Sequence, residues 1–179
     1  MKLRTLLAKE EIHIILNRLA CQLIENHGDF KNSVLIGLQP RGKYLAERLK
    51  TLLEDKYGIA QVDLGFLDTT FFRDDFRRRD SPLEANSTKI NFLVEDKKVV
   101  FIDDVLYSGR SVRAGLTAIQ SFGRPKEIEL LVLIDRRFSR HLPIQPDYKG
   151  RQVDVLNKDR VIVTWLNEGQ EDEVLITND

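Results

Sequence analysis

Val99-Val100-Phe101-Ile102-Asp103-Asp104-Val105-Leu106-Tyr107-Ser108-Gly109-Arg110-Ser111 is the stretch on which the reading of this chain turns. It opens with a short apolar run, Val99 to Ile102, the pattern of a strand buried on both faces, and Asp103-Asp104 closes that strand. Two hydroxyls and a glycine then lead into helical spacing from about residue 111 to residue 122. These parts share a physical use. A helix start presents unpaired N–H groups at the positive end of a dipole and so favours a phosphate. Gly109 lets the backbone approach such an anion closely, and Ser108 and Ser111 can donate hydroxyl hydrogen bonds. Two ionised carboxylates just upstream can accept hydrogen bonds from vicinal sugar hydroxyls and can hold Mg2+ directly or through water. A ribose 5-phosphate fits this layout. An isolated Asp-Asp before a serine-containing turn reads as a helix-capping loop; the full order, with strand before and helix after, favours the phosphate sugar.

Outward from this stretch the same alternation repeats. Residues 9–26 place Ile12, Leu16, Leu19 and Leu23 three or four apart, an amphipathic helix ending around Gly28. Residues 33–38 form a second continuous apolar run, followed by helical spacing over 43–57 (Leu45, Leu49, Leu52, Leu53) that ends at Gly58. Val62 to Thr70 reads as a strand, as do 128–134, 160–166 and 173–176. Strands alternating with helices at these intervals predict an α/β fold, a mainly parallel sheet with helices on both faces. Ligands of such sheets sit at the carboxyl ends of the strands, which singles out the loops after residues 38, 102 and 134. Residues 73–91 break the pattern with a dense charge run, Arg73 to Asp80, then Ser81-Pro82. A stretch of that kind inside a compact domain is either functional or a solvated loop.

Composition narrows the classes. The 179 residues suit one domain, residues 1–179, and no internal repeat is visible. Lys plus Arg and Asp plus Glu both total 28, so net charge offers no general attraction to nucleic acid or membrane. One cysteine, Cys21, excludes an internal disulfide and any multi-cysteine zinc site; it and Trp165 read as packing residues. Lys2 and Arg4 are followed only by Leu6-Leu7 before charge returns, so no signal peptide is read there. No apolar run approaches the roughly 20 residues of a membrane span. The expectation is a soluble, cytoplasmic protein.

The 99–111 stretch resembles the phosphoribosyl-diphosphate motif of the type I phosphoribosyltransferases. Its flanks narrow the resemblance. Arg73-Asp74-Asp75, the block from Asp103 to Gly115, Gly123-Arg124-Pro125, and Leu142-Pro143-Ile144 with Asp147-Tyr148 are similar to the PyrR family. Its members are uracil phosphoribosyltransferases that in some bacteria also act as RNA-binding attenuators of pyrimidine operons. The resemblance implies that Asp103 and Asp104 contact the ribose hydroxyls and hold Mg2+ directly or through water. It also implies that Val105 and Leu106 lead into a 5-phosphate cradle of Tyr107, Ser108, Gly109, Arg110 and Ser111. Arg41, in the Gln39-Pro40-Arg41-Gly42 turn, would meet the pyrophosphate, with Pro40 shaping the turn; the other reading of Arg41 is a surface ion pair. The Gln39–Pro40 bond can take the cis form at modest cost. Residues 73–91 match the family's mobile loop, which closes over substrate and brings Arg73 to the pyrophosphate. Arg136 matches an arginine of the uracil-side hood, which the C-terminal part of the chain would form.

Departures from the family pattern are as informative. Arg137-Phe138-Ser139-Arg140-His141 differs from the commoner Gly-His-Arg-Glu and is one residue longer, and Arg77-Arg78-Arg79 has no assigned role. His141 reads as solvated rather than as a general acid or base. Where RNA-binding members carry Thr-Arg-x-x-His on the first helix, this chain has Asn17-Arg18-Leu19-Ala20-Cys21. Asn26 and Gln145 stand where the family has arginines, while Arg18 and Arg151 survive as the candidate RNA contacts that the resemblance implies. Each lost cation removes a phosphate contact and its counterion release. The enzyme is therefore favoured, with phosphoribosyl diphosphate, uracil and UMP as partners. A pyrimidine mRNA leader is the further partner of the competing reading, a UMP- or UTP-sensing attenuator. The resemblance also implies a homodimer or larger homo-oligomer.

Overall fold

The computed structural model describes residues 2–73, 86–155 and 159–178. Most of the charged stretch, including Arg77-Arg78-Arg79, lies outside the described residues, so its expected closure is not visible here. The chain runs β1 (Lys2–Leu7), α1 (Lys9–His27), β2 (Ser33–Gln39), α2 (Gly42–Thr51), β3 (Leu64–Asp68), β4 (Lys98–Leu106), α3 (Arg110–Ile119), β5 (Glu127–Arg137), β6 (Tyr148–Asp154), β7 (Arg160–Thr164) and β8 (Glu173–Asn178). Two sheets result. A five-stranded sheet has the order β3-β2-β4-β5-β6 with every pairing parallel. A three-stranded antiparallel sheet has the order β1-β8-β7.

The large sheet is buried on both faces, as its apolar runs require. Successive side chains of a strand point to opposite faces. Val100 and Ile102 of β4 pack with Leu45, Ala46 and Leu49 of α2 and with the apolar face of α1. Val99 and Phe101 pack on the other side, with Val112, Ala118 and Ile119 of α3. The small sheet is part of the first cluster, through Leu7, Val163, Trp165, Val174 and Ile176. Trp165 is fully buried under the Arg48 guanidinium, 4.4 Å from its ring centre. Cys21, read as core or interface packing, is exposed in the single chain and so is not a core residue.

Several boundaries move, each for a tertiary reason. β4 does not stop at the aspartates. Val105 and Leu106 continue the ladder because β5 extends to Arg137 and offers Ile134 and Asp135 as partners. The 43–57 periodicity is α-helical only to Thr51; Tyr57 N–H then bonds Leu52 O, five residues back, at 3.1 Å, a π-helical turn that leucine spacing does not distinguish from an α one. β1 and β6 carry no apolar run. β1 becomes a strand by pairing with β8, and β6, with Lys149, Arg151 and Asp154, is a charged sheet edge of the kind that resists further pairing. The small sheet expected from the C-terminal part thus includes the N-terminal strand.

Candidate active site

β2 and β4 are neighbours, but the chain leaves them in opposite directions, toward α2 on one face and α3 on the other. A strand order that diverges in this way puts the ligand position of such sheets at their carboxyl ends. On the β2 side the Gln39–Pro40 peptide is cis and Gly42 begins α2. A Cβ on Gly42 would lie 2.1 Å from the Ile102 carbonyl oxygen, so only glycine lets the start of α2 press against β4. That contact brings Arg41 onto Asp104.

Asp103 and Asp104, adjacent in a strand, point to opposite faces. Asp104 turns to the α2 side, where it is 7% exposed and accepts a hydrogen bond from Arg41 Nε at 3.1 Å. Arg41 also donates to the Val163 carbonyl oxygen of β7, joining the two sheets at this point. The surface ion pair read as an alternative for Arg41 is therefore a half-buried one. Asp103 turns to the α3 side and accepts the Asp104 N–H at 2.9 Å. Burial raises the affinity of both carboxyls for protons. The neighbouring Asp104 charge pushes Asp103 further up, and Arg41 pulls Asp104 back down. Added positive charge beside the pair would favour the ionised form of both.

On the α3 side Asp103, Arg73 and the run from Val105 to Val112 line a cavity of about 220 Å3. Gly109 precedes α3 with φ 89°, a left-handed conformation, and no side chain caps the helix. Of the first-turn N–H groups, that of Arg110 reaches the Ser108 hydroxyl oxygen in a long contact of 3.4 Å. Arg73 NH1 approaches Ser111 Oγ at 3.5 Å, at the limit of a hydrogen bond. Pro40, Arg41, Asp104 and Arg136 do not line this cavity. Arg136, 6% exposed, stacks its guanidinium on the Tyr107 ring at 4.3 Å from the centre. His141 is exposed, and its backbone N–H bonds Ser108 O at 3.0 Å. Arg140 was not singled out by the sequence. Its guanidinium reaches the Leu106 and Tyr107 carbonyl oxygens and pairs with Asp135. The only hint was its spacing of five residues after an aspartate at the end of an apolar run.

Arg18 and Arg151 lie elsewhere, along α1 and β6. Arg18 donates to the carbonyls of Lys149 (3.2 Å) and Gly150 (2.6 Å), and Arg151 to Leu6 O and to Glu11, each at 3.0 Å.

Among the described residues no cluster of three or more His, Cys, Asp or Glu side chains forms a metal site. Two carboxylates on opposite faces, one of them paired with Arg41, cannot complete an octahedron. Either carboxylate could hold a Mg2+ ion that keeps most of its water.

The profile described as "Phosphoribosyl transferase domain" matches residues 3–168. The chain is 46% identical over 158 residues to the Bifunctional protein PyrR of Gloeothece citriformis, covering 88% of each chain. It is 42% identical over 171 residues to that of Pelotomaculum thermopropionicum, covering 96% of this chain and 93% of the relative. Among solved structures, the hypoxanthine phosphoribosyl transferase of Trypanosoma cruzi aligns over 98% of this chain and 91% of its own at TM-score 0.73 and 15% identity, a likeness of fold. A hypoxanthine phosphoribosyltransferase from Staphylococcus aureus aligns at TM-score 0.64 and 21% identity, over 84% of this chain and 78% of its own. With its switch point between β2 and β4 and these relatives spanning nearly its whole length, the chain belongs to the phosphoribosyltransferase family and, within it, to the PyrR proteins.

Proposed function

We propose that this chain transfers the ribose 5-phosphate group of phosphoribosyl diphosphate to uracil, giving UMP and pyrophosphate. The bond from C1 of the ribose to the diphosphate oxygen breaks, a bond to N1 of uracil forms, and the N1 proton leaves to solvent. One observation carries the reading: a buried carboxylate, Asp104, and a half-buried one, Asp103, near the end of β4 adjoin a helix start preceded by a left-handed glycine. The N–H groups of that start and the Ser108 and Ser111 hydroxyls would hold the 5-phosphate. As the leaving group departs, positive charge grows on the ribose ring. Asp103 and Asp104 would orient the ribose hydroxyls and favour that charge. Arg41, fixed by Asp104 and Val163, and Arg73 would neutralise the departing pyrophosphate. Bound Mg2+ would supply further charge to the same leaving group. Arg136, whose guanidinium is held against the Tyr107 ring, would serve the uracil side, as the family resemblance implies.

The test is pyrophosphate release by the purified chain with Mg2+ and phosphoribosyl diphosphate, offering uracil, hypoxanthine, guanine or orotate in turn. Release with uracil alone is expected. Release with a purine and not with uracil would overturn the assignment.

A second activity is supported by the relatives' name, bifunctional. We read it as regulation through a pyrimidine mRNA leader, with Arg18 and Arg151 as its remaining cations. Both already serve protein acceptors, so phosphates would have to compete for them. Weak RNA binding with a shallow salt dependence is the expectation, because few phosphate contacts release few counterions.

A further inference from the structure

We propose that Arg140 is a positioning residue for the 5-phosphate, acting by turning successive carbonyls of the 106–108 turn away from the cavity. The inference rests on the reading of that turn as a phosphate cradle. Arg140 NH1 donates to Leu106 O at 3.3 Å and also to Tyr107 O. The next carbonyl, that of Ser108, accepts from the His141 backbone N–H at 3.0 Å. Three consecutive carbonyls are thus gathered by two consecutive residues of the loop after β5.

The consequence follows from peptide geometry. A trans peptide is planar, and its N–H points opposite its C=O. When the carbonyls of residues 106, 107 and 108 face Arg140 and His141, the N–H groups of Tyr107, Ser108 and Gly109 face away from them. Those residues line the 220 Å3 cavity. Successive N–H groups ending at a left-handed residue make a concave site for an anion, and Gly109 has that conformation at φ 89°. The same loop supports the turn from behind: a Cβ on Gly109 would meet Ile144 at 3.2 Å and Leu142 at 3.5 Å.

Arg140 suits this task better than lysine would. Its planar fork reaches two carbonyls and a carboxylate at once, whereas an ammonium is a point donor on a flexible stem. Asp135, 4% exposed, holds the far end of the fork, and it stands directly opposite Leu106 in the β4–β5 ladder. The orienting carboxylate is therefore built into the strand beside the turn. The loop from residue 137 to 141 then has a role on the phosphate side as well as the base side.

The experiment is calorimetric binding of ribose 5-phosphate to the intact chain, alongside steady-state kinetics. Arg140→Ala is expected to weaken ribose 5-phosphate binding about tenfold to a hundredfold, the range for losing hydrogen bonds from a charged group. The KM for phosphoribosyl diphosphate should rise with it, while the KM for uracil stays unchanged. Low-millimolar guanidinium ion should restore part of the affinity of Arg140→Ala, and Arg140→Lys should stay impaired. Ribose 5-phosphate binding by a folded Arg140→Ala equal to wild type would overturn the proposal, as would an equal rise in both KM values. Should Arg140→Ala not fold, Asp135→Asn decides by the same readouts, with a several-fold loss of ribose 5-phosphate affinity expected and no loss overturning the idea. Failure of the wild-type chain to bind ribose 5-phosphate would instead overturn the reading of the turn itself.

Discussion

The two ends of the parallel sheet each hold a buried polar cluster, and they are built on opposite plans. At the amino ends of the strands, the His27 imidazole is fully buried between Ser33 Oγ on Nδ1 and Glu129 Oε2 on Nε2, both at 2.9 Å. Tyr148 OH donates to the same Glu129 at 2.8 Å and accepts from Asn26 Nδ2 at 2.8 Å. A neutral imidazole with its proton on Nε2 satisfies every partner, and burial lowers the affinity of His27 for a second proton. At the carboxyl ends, Asp103 and Asp104 are crowded, share few donors, and are pushed by burial toward their protonated forms. One end spends its polar groups on each other and holds α1 to the sheet. The other leaves its groups wanting a cation and sugar hydroxyls. Carboxylates whose proton affinity is raised by burial beside a cavity are where function is expected.

That contrast can be broken by mutation. The largest effect is expected from Asp104→Asn, which should lower turnover at least about tenfold without lowering Tm. The sign follows from the raised pKa values. The unfolded chain ionises these carboxyls near pH 3.8, the folded chain only at higher pH, so at neutral pH they oppose folding and the opposition is relieved as pH falls. Normal turnover, or a large fall in Tm, would show that the upper cluster is structural like the lower one.

Tyr148→Phe tests the opposite end. It removes a donor to Glu129 and an acceptor for Asn26 and should cost about 1–3 kcal/mol. In a chain of this size that is a Tm lower by roughly 3–10 °C. Turnover should stay within about twofold of wild type, and a selective loss of turnover would join the two ends. The smallest effect is expected for His27→Gln. With its pKa lowered by burial, His27 contributes stability that is complete above about pH 6.5 and lost as pH falls, because the unfolded chain takes up a proton that the folded one resists. The variant should lose less Tm between neutral pH and pH 5 than wild type; a parallel pH profile would mean that another group governs the acid limb.

The upper cluster was largely legible in the sequence, and the lower one was not. Asp103 to Ser111 are contiguous, so strand, carboxylates, glycine and helix start can be read as one local unit. The partners in the lower cluster are 6 to 122 residues apart, and nothing local marks them. A similar separation hid the role of Arg140, whose carbonyl partners are 33 or 34 residues back along the chain. β1 was missed because its partner strand, β8, lies at the other end of the chain.

Local pattern settled the alternation of strands and helices, the glycines at tight approaches, and the chemistry of the 103–111 block. These depend on neighbours in sequence, where periodicity and turn preference act directly. Packing settled what the block does with its two aspartates. The β5 partner carries β4 past them, the pleat sends them to opposite faces, and Gly42 delivers Arg41 to one and not the other. Charge, burial and orientation are properties of the assembled sheet, because they are set by groups that the chain brings together only on folding.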